Sequence, residues 1–291
     1  MKILMRLLRV DQWVKNLFCF LPVVFSGNLL DGDALLRAFE AFIVFSLTAS
    51  SIYILNDIAD RDSDLAHPVK CRRPIASGKV GQPLAVTASV LLLAGAFLLI
   101  VCFFGDMPWA AAVVAAYYLL NVAYTLKLKN IPILDVAIVA AGFVLRVVCG
   151  GLVCSIWVSP WLVMMVFLLT LLIAFGKRRD EVLRMERGDK TRKSVAGYNI
   201  TFINQVLSLL AATVVITYIC YTLTPEVEER FDSGYVYLTS FFVIGAVIRY
   251  LQIAYVREDS GSPTALVYKD RFTQVCCILW FATFIIIIYC R

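Results

Sequence analysis

The sequence predicts an all-α polytopic membrane protein with nine transmembrane helices, on three observations. Of 291 residues, 61% are hydrophobic and 16% charged, and the mean hydropathy is +0.82. A soluble domain runs nearer to half apolar and a quarter charged, so a water-soluble globular enzyme and a disordered tail protein are both excluded. The apolar residues also fall into blocks of about twenty, the length that crosses roughly 30 Å of hydrocarbon as a helix. Barrel strands would alternate instead of running continuously apolar. The third observation is the charge distribution between the blocks.

In chain order the blocks are 14–30, 34–55, 83–104, 107–126, 131–154, 157–176, 202–223, 235–255 and 272–290. The first is short, starts at Lys15 and contains Pro22, so an interfacial or re-entrant segment is its alternative. Starting from the N-terminus, alternate connections (1–16, 57–82, 127–130, 177–199 and 256–271) hold 22 of the 27 Lys and Arg residues. The opposite side holds only Arg230 and Arg291, and Arg37, Arg146 and Arg249 lie within spans. This asymmetry puts the N-terminus and the five basic connections in the cytoplasm. It also accounts for much of the +6 net charge, so no nucleic-acid partner is expected. Met1 to Lys15 is basic and lacks an apolar core, which predicts no cleavable signal peptide. The nine cysteines include no Cys-x-x-Cys pair and suggest no disulfide framework. With one histidine, a His-based zinc or iron site is not expected.

The densest chemistry follows the second span: Asn56-Asp57-Ile58-Ala59-Asp60-Arg61-Asp62-Ser63-Asp64. If that helix continues, 100° per residue places Asp57, Asp60 and Asp64 within about 60° of one another, with Asp62 pointing away. Three carboxylates sharing a face at a membrane exit repel one another. A divalent cation relieves the repulsion, and oxygen-only ligands favour Mg2+ bound with substrate phosphates. A solvated acidic loop is the plain alternative. Lys70, Arg72, Arg73 and Lys79 come next, in a stretch broken by Pro and Gly. Carboxylates for a metal beside cations for phosphate oxygens suit a diphosphate substrate, although sidedness alone also explains such cations.

Tyr124, Lys127 and Lys129 close the fourth span, with Asp135 just inside the fifth. Lys177-Arg178-Arg179-Asp180-Glu181 closes the sixth and leads to Arg192, Lys193 and Tyr198. Asp135 is harder to dismiss as decoration, because a carboxylate one turn into a membrane helix is costly unless paired. Arg146 and Arg249 raise the same question, and a structural role is expected for Arg146.

These residues carry a resemblance. Asn56-Asp57-x-x-Asp60-x-x-x-Asp64, then Arg73-Pro74-Ile75 and Gly78, resembles the first aspartate-rich motif of the UbiA superfamily. Tyr124-x-x-Lys127 resembles its second landmark. The superfamily comprises nine-helix intramembrane prenyltransferases with a cavity open to the cytoplasm, so the resemblance implies one UbiA-like domain over 1–291 and a cytoplasmic active site in the cell membrane. Within it, the phosphoribosyl-transferring branch is most similar. That likeness rests on Asp11-Gln12-Trp13-Val14-Lys15-Asn16, Ala66-His67-Pro68 to Ile75, Tyr124 through Arg146, and Lys177-Arg178 with Glu181. Ser262-Pro263 with Asp270 is a weaker echo. Typical members carry a second Asp-x-x-x-Asp at the end of the sixth helix, and none occurs between 177 and 199. This departure counts against a prenyl diphosphate donor and suits a branch whose diphosphate sits on ribose.

The resemblance implies transfer of 5-phosphoribose from 5-phosphoribosyl 1-diphosphate to a polyprenyl (decaprenyl-type) phosphate. In bacteria with arabinan-containing envelopes it would supply a lipid-linked arabinose precursor. Asp57, Asp60 and Asp64, with Asn56, would hold Mg2+, and Arg73, Lys177, Arg178 and Glu181 would complete the catalytic set. Lys15, Asn16, Asn56, Lys70, Arg72, Tyr124, Lys127, Asp135 and Tyr198 would bind substrate, with Lys15 at the membrane edge holding the lipid phosphate. The reading allows a homo-oligomer. One rival is an ordinary member of the superfamily moving a prenyl group from its diphosphate to an aromatic or lipid acceptor. Another is a transporter, channel or scaffold in which Glu40, Asp135, Arg146 and Arg249 line a path, although Arg37 and Glu40, three apart, can simply pair. A pathway leaves the acidic cluster unexplained.

Overall fold

The computed structural model describes residues 2–65, 69–189, 191–258 and 269–289. Among the described residues twelve α-helices follow one another: α1 (Lys2–Leu8), α2 (Leu21–Phe25), α3 (Gly32–Ala59), α4 (Arg61–Leu65), α5 (Gln82–Phe104), α6 (Pro108–Leu126), α7 (Leu134–Val153), α8 (Pro160–Glu186), α9 (Ile200–Thr222), α10 (Pro225–Phe231), α11 (Ser240–Gln252) and α12 (Arg271–Tyr289). Seven stretches among the described residues are long and apolar enough to cross a membrane: α3, α5, α6, α7, α8, α9 and Val236–Arg257, which contains α11. The apolar helix α12 occupies the last expected span. The protein is therefore a multi-pass membrane protein.

The nine-span expectation is corrected at its first element. Residues 14–30 do not form one long helix. A 3₁₀ helix, Val10–Phe20, leads into the short α2, and the chain turns at Gly27 (φ 81°). The cause is tertiary. Asn16 is buried and donates to Ser46 Oγ at 2.9 Å, and Trp13 Nε1 donates to Ser50 Oγ at 3.0 Å, so the 3₁₀ helix is tied to two successive turns of α3. The sixth span differs in the other direction. Its helix runs to Glu186, because Lys177 to Glu186 contains strong helix formers that a hydropathy reading ends at.

Helix starts follow local chemistry. Asp31 accepts from the amides of Asp33 and Ala34 ahead of α3, Ser159 from Leu162 ahead of α8, and Asn199 from Phe202 ahead of α9. Pro83, Pro108 and Pro160 sit in first turns, where no amide proton is missed.

The chain packs as two compact units, Met1–Lys129 with Ala141–Val158, and Asn130–Ala140 with Ser159–Arg291. In the first, α3 lies against α5, α6 and the 3₁₀ helix. Ala41, Val44, Phe45, Ala49 and Ile52 of α3 meet Phe104, Val114 and Tyr117. Ser51 and Ser89 exchange hydrogen bonds across α3 and α5 (2.9 Å between hydroxyls), a polar tie of the kind that joins membrane helices. Leu84, Leu91, Phe97 and Leu98 of α5 are exposed, as residues facing hydrocarbon are. Gly150 of α7 is required by close approach: a Cβ there would stand 2.0 Å from the Cys19 carbonyl oxygen. In the second unit α9 packs on α8 and α11, and α11 on α12, around Leu172, Phe175, Ile203, Leu207, Val214 and Val247.

Candidate active site

The acidic segment sits at the end of α3. Helix geometry stops at Ala59, and Asp60 caps it with φ −95° and ψ 4°. The Asp60 amide still donates to Asn56 and the Asp64 amide to Asp60, so the turn into α4 preserves the helical spacing. Asp57 and Asp64 are consequently buried, at 2% and 3% exposure, while Asp62 is exposed.

Each buried carboxylate meets a cation within the same unit. Arg9 and Arg73 both donate to Asp57 Oδ1, the latter at 3.1 Å. The same Arg73 Nη1 donates to Asp64 Oδ2. Lys129 Nζ lies 2.5 Å from Asp60 Oδ1 and 3.4 Å from Asn56 Oδ1, and Asn56 Nδ2 donates to Asp60 Oδ2 at 3.0 Å. Three carboxylates and three cations thus interleave.

This arrangement bears on a metal. Among the described residues no three carboxylate, histidine or cysteine side chains gather as one ligand group. The expected quartet of Asn56, Asp57, Asp60 and Asp64 is therefore split, because Asp60, at the helix end, turns to Lys129. Asp57 and Asp64 nevertheless converge on one Arg73 nitrogen. Two carboxylates already share a single cationic centre, and all the donors are oxygens, as a hard divalent ion requires. The residues fit such an ion as a two-carboxylate site.

The remaining first-unit candidates are dispersed. Arg72 and Lys127 are exposed, and Lys15, Lys70 and Tyr124 are half-buried. Lys129, rather than the exposed Lys127, is the lysine of this connection that pairs with Asp60. Arg9, which sits in the left-handed region at φ 50° with its guanidinium over the Tyr53 ring, was not singled out from sequence. The signal available was charge balance: three acids at a membrane exit call for nearby cations. His67 and Ser262-Pro263 lie outside the described residues.

In the second unit Asp135 is the hub. It has no exposed surface and accepts from Arg178 Nε at 2.6 Å, Ser194 Oγ at 3.0 Å and Tyr198 Oη at 2.7 Å. Arg178 Nη1 also donates to Glu181 Oε2 at 2.6 Å, one helical turn along α8. The Tyr198 oxygen accepts the Ile133 amide, which pins Ile133 at φ 70°, a costly conformation for a β-branched residue. Burial first, and then the bond to Asp135, push the Tyr198 hydroxyl well above its ordinary range, so it stays a donor. Lys177 is half-buried. Ser194 was missed because a lone serine in a basic loop carries no pattern. Asp180 pairs with Arg184 at 2.6 Å. Arg249 pairs with Asp270 at 2.6 Å, which makes it structural.

The described residues thus form an all-helical membrane bundle with acids and cations interleaved at a helix exit. The profile of the UbiA prenyltransferase family matches residues 17–269. Decaprenyl-phosphate phosphoribosyltransferase of Mycolicibacterium smegmatis is 32% identical, over 96% of this chain and 90% of the relative. The protein of that name from Mycobacterium tuberculosis is 32% identical, over 95% and 91%. A solved UbiA homologue from Archaeoglobus fulgidus, bound to DMAPP and Mg2+, superposes with a TM-score of 0.72 at 18% identity, covering 98% of both chains. The chain belongs to the UbiA prenyltransferase family.

Proposed function

We propose that the protein transfers the 5-phosphoribosyl group from 5-phosphoribosyl 1-diphosphate to a polyprenyl phosphate at the cytoplasmic face of the cell membrane. The observation that carries this reading is its end-to-end similarity to decaprenyl-phosphate phosphoribosyltransferases at 32% identity. The cation-rich end of α8, where Lys177 and Arg178 stand and no Asp-x-x-x-Asp occurs, supports it over prenyl transfer.

In this reaction the bond from ribose C1 to the diphosphate oxygen breaks, and its electron pair leaves with diphosphate. A lipid phosphate oxygen bonds to C1. Positive charge develops on the sugar and negative charge on the leaving group, so cations at the leaving group lower the barrier. Asp57 and Asp64 would hold Mg2+, with Asp60 and Asn56 beside them, and the ion when bound supplies charge neutralisation to the diphosphate. Arg73, Arg9 and Lys129 can turn from carboxylates to phosphate oxygens. Asp135 and Glu181 hold Arg178 in one orientation, and Tyr198 and Ser194 hold Asp135, so that guanidinium is preorganised for an anionic substrate. Lys70, Arg72, Lys127 and Lys177 add positive charge for the approach. The acceptor phosphate is already largely ionised at neutral pH, its second pKa being about 6, so no general base is needed.

The test mixes purified protein, polyprenyl phosphate, labelled 5-phosphoribosyl 1-diphosphate and Mg2+. Label is expected in the lipid phase, lost with EDTA and in Asp60→Asn. No labelled lipid, with labelled prenyl diphosphate instead passing to an aromatic acceptor, would overturn the reading.

A further inference from the structure

One buried cation takes no part in the proposed reaction. Arg179 follows Arg178 on α8 and is 5% exposed. Arg178 reaches Asp135 on α7, whereas Arg179 reaches α9 and the end of α11. Its Nε donates to Asn204 Oδ1 at 2.9 Å and its Nη1 to the Ala254 carbonyl at 2.5 Å, and its Cζ stands 5.3 Å from the centre of the Tyr255 ring. Ala254 and Tyr255 lie in a π-helical turn, Ile253–Arg257, that follows α11. The Tyr255 hydroxyl donates to the Asn204 carbonyl at 2.8 Å and meets Ser208 Oγ at 3.1 Å. All these partners are neutral. Asp180, Glu181, Glu258 and Asp270 each bond another arginine, and Arg179 meets no carboxylate among the described residues. A cation kept from water without a counter-charge is costly, and an anion recovers that cost. Donors for one remain: among the described residues neither Arg179 Nη2 nor Asn204 Nδ2 has an acceptor. No buried side-chain nitrogen there lacks a partner, so these two nitrogens reach the surface.

We infer that Arg179 and Asn204 bind the phosphodiester of an anionic phospholipid in the seam between α9 and α11. The depth fits a headgroup. Asn204 stands four residues into α9, about 6 Å along its axis, and Tyr255 stands two residues before the end of the span Val236–Arg257. The flanks fit acyl chains: going deeper from the site, Leu209 and Ile216 of α9 and Ile248 and Phe241 of α11 are all exposed apolar residues. Basic pockets between membrane helices hold anionic headgroups in this way. A phosphodiester is a monoanion, which matches a single uncompensated cation, and its oxygens suit the guanidinium fork. A zwitterionic phospholipid brings its own ammonium beside Arg179 and is disfavoured. The site does not depend on the phosphoribosyl reading.

Lipid binding to the full chain, delipidated in detergent, tests it. Native mass spectrometry counts bound molecules during titration with phosphatidylglycerol, with phosphatidylcholine of the same chains, and with glycerophosphoglycerol, the same headgroup without chains. Wild type is expected to bind phosphatidylglycerol about fivefold more tightly than phosphatidylcholine, the contribution of one cation near a membrane surface. Asn204→Asp sets the missing carboxylate 2.9 Å from Arg179 Nε and keeps the shape of the side chain, so the helices stay joined. It should weaken phosphatidylglycerol by about 10- to 100-fold, as loss of a charge-assisted partner does. Arg257→Gln removes a surface cation whose side chain is 56% exposed and should stay within about twofold of wild type, which separates a built site from the general attraction of surface arginines. Equal phosphatidylglycerol affinity in wild type and Asn204→Asp, an equal loss in Arg257→Gln, or no preference over phosphatidylcholine overturns the site. Glycerophosphoglycerol binding as tightly as the lipid would make a soluble anion the occupant and overturn the lipid assignment.

Discussion

Asp135→Asn tests how much the second unit depends on its buried hub. Asparagine keeps the shape and one acceptor oxygen but removes the charge facing Arg178, which is only 4% exposed. A neutral hydrogen bond contributes about 1 kcal/mol and a charge-assisted one about 1.5–3. Breaking a buried ion pair from one side costs about 3–5 kcal/mol, because the other charge is stranded. Glu181 Oε2, 2.6 Å from Arg178 Nη1, still compensates in part, so the lower end, about 3 kcal/mol, is expected. Reversible unfolding in mixed micelles measures it. Asp135→Leu combined with Arg178→Met should recover part of that loss, since neither of the two charges is left facing the other's absence, although Glu181 loses its bond to Arg178. The cycle should show coupling above about 1 kcal/mol. A loss under 1 kcal/mol for Asp135→Asn, or additive effects in the double variant, would refute the assignment of Asp135 as the counter-charge of Arg178.

Three further outcomes follow from the same geometry. Lys129→Gln should lower kcat/KM at least about tenfold, since it strips Asp60 of its cation, whereas the exposed Lys127→Gln should stay within about twofold; steady-state kinetics with both substrates separates them, and equal effects would count against Lys129. Gly150→Ala should cost about 1–3 kcal/mol or more as its methyl drives into the Cys19 carbonyl, seen as easier proteolysis at Arg9 and Lys15, while Gly142→Ala, whose nearest neighbour is a Tyr117 ring carbon at 3.4 Å, should be far milder. Mg2+ alone should bind weakly, because Arg73 already spans Asp57 and Asp64, and at least about tenfold more tightly with 5-phosphoribosyl 1-diphosphate present, a difference that Mn2+ titration by magnetic resonance reads directly; equal affinity in both conditions would show that Arg73 does not compete.

The long helices were legible because hydrocarbon imposes one requirement, a continuous apolar run, and the starts at Pro83, Pro108 and Ser159-Pro160 punctuate those runs. Two elements escaped for opposite reasons. Residues 10–25 look like a short span, but their conformation is set by Ser46 and Ser50 of α3, 30 and 37 residues from their partners Asn16 and Trp13, and no local pattern reports such a partner. At the end of α8 the hydropathy falls while helix propensity does not, so a reading based on burial stops ten residues before the helix does.

The candidate site divides along the same line. Asp57, Asp60 and Asp64 were legible because a membrane exit makes clustered carboxylates expensive, and expense is visible in one dimension. What offsets the expense was not visible. Arg9 lies 48 residues before Asp57 and Lys129 lies 69 after Asp60. In sequence both dissolve into the surplus of Lys and Arg that the alternate connections carry. In the fold they neutralise the motif one for one, with Arg73. This balance also explains why a two-carboxylate geometry, not a closed metal cage, is what the chain holds without substrate. Three acids with three fixed cations are electrically complete. On the proposed function, a metal and a diphosphate bound together would find both partners in place, phosphate oxygens for the cations and the carboxylates of Asp57 and Asp64 for the ion.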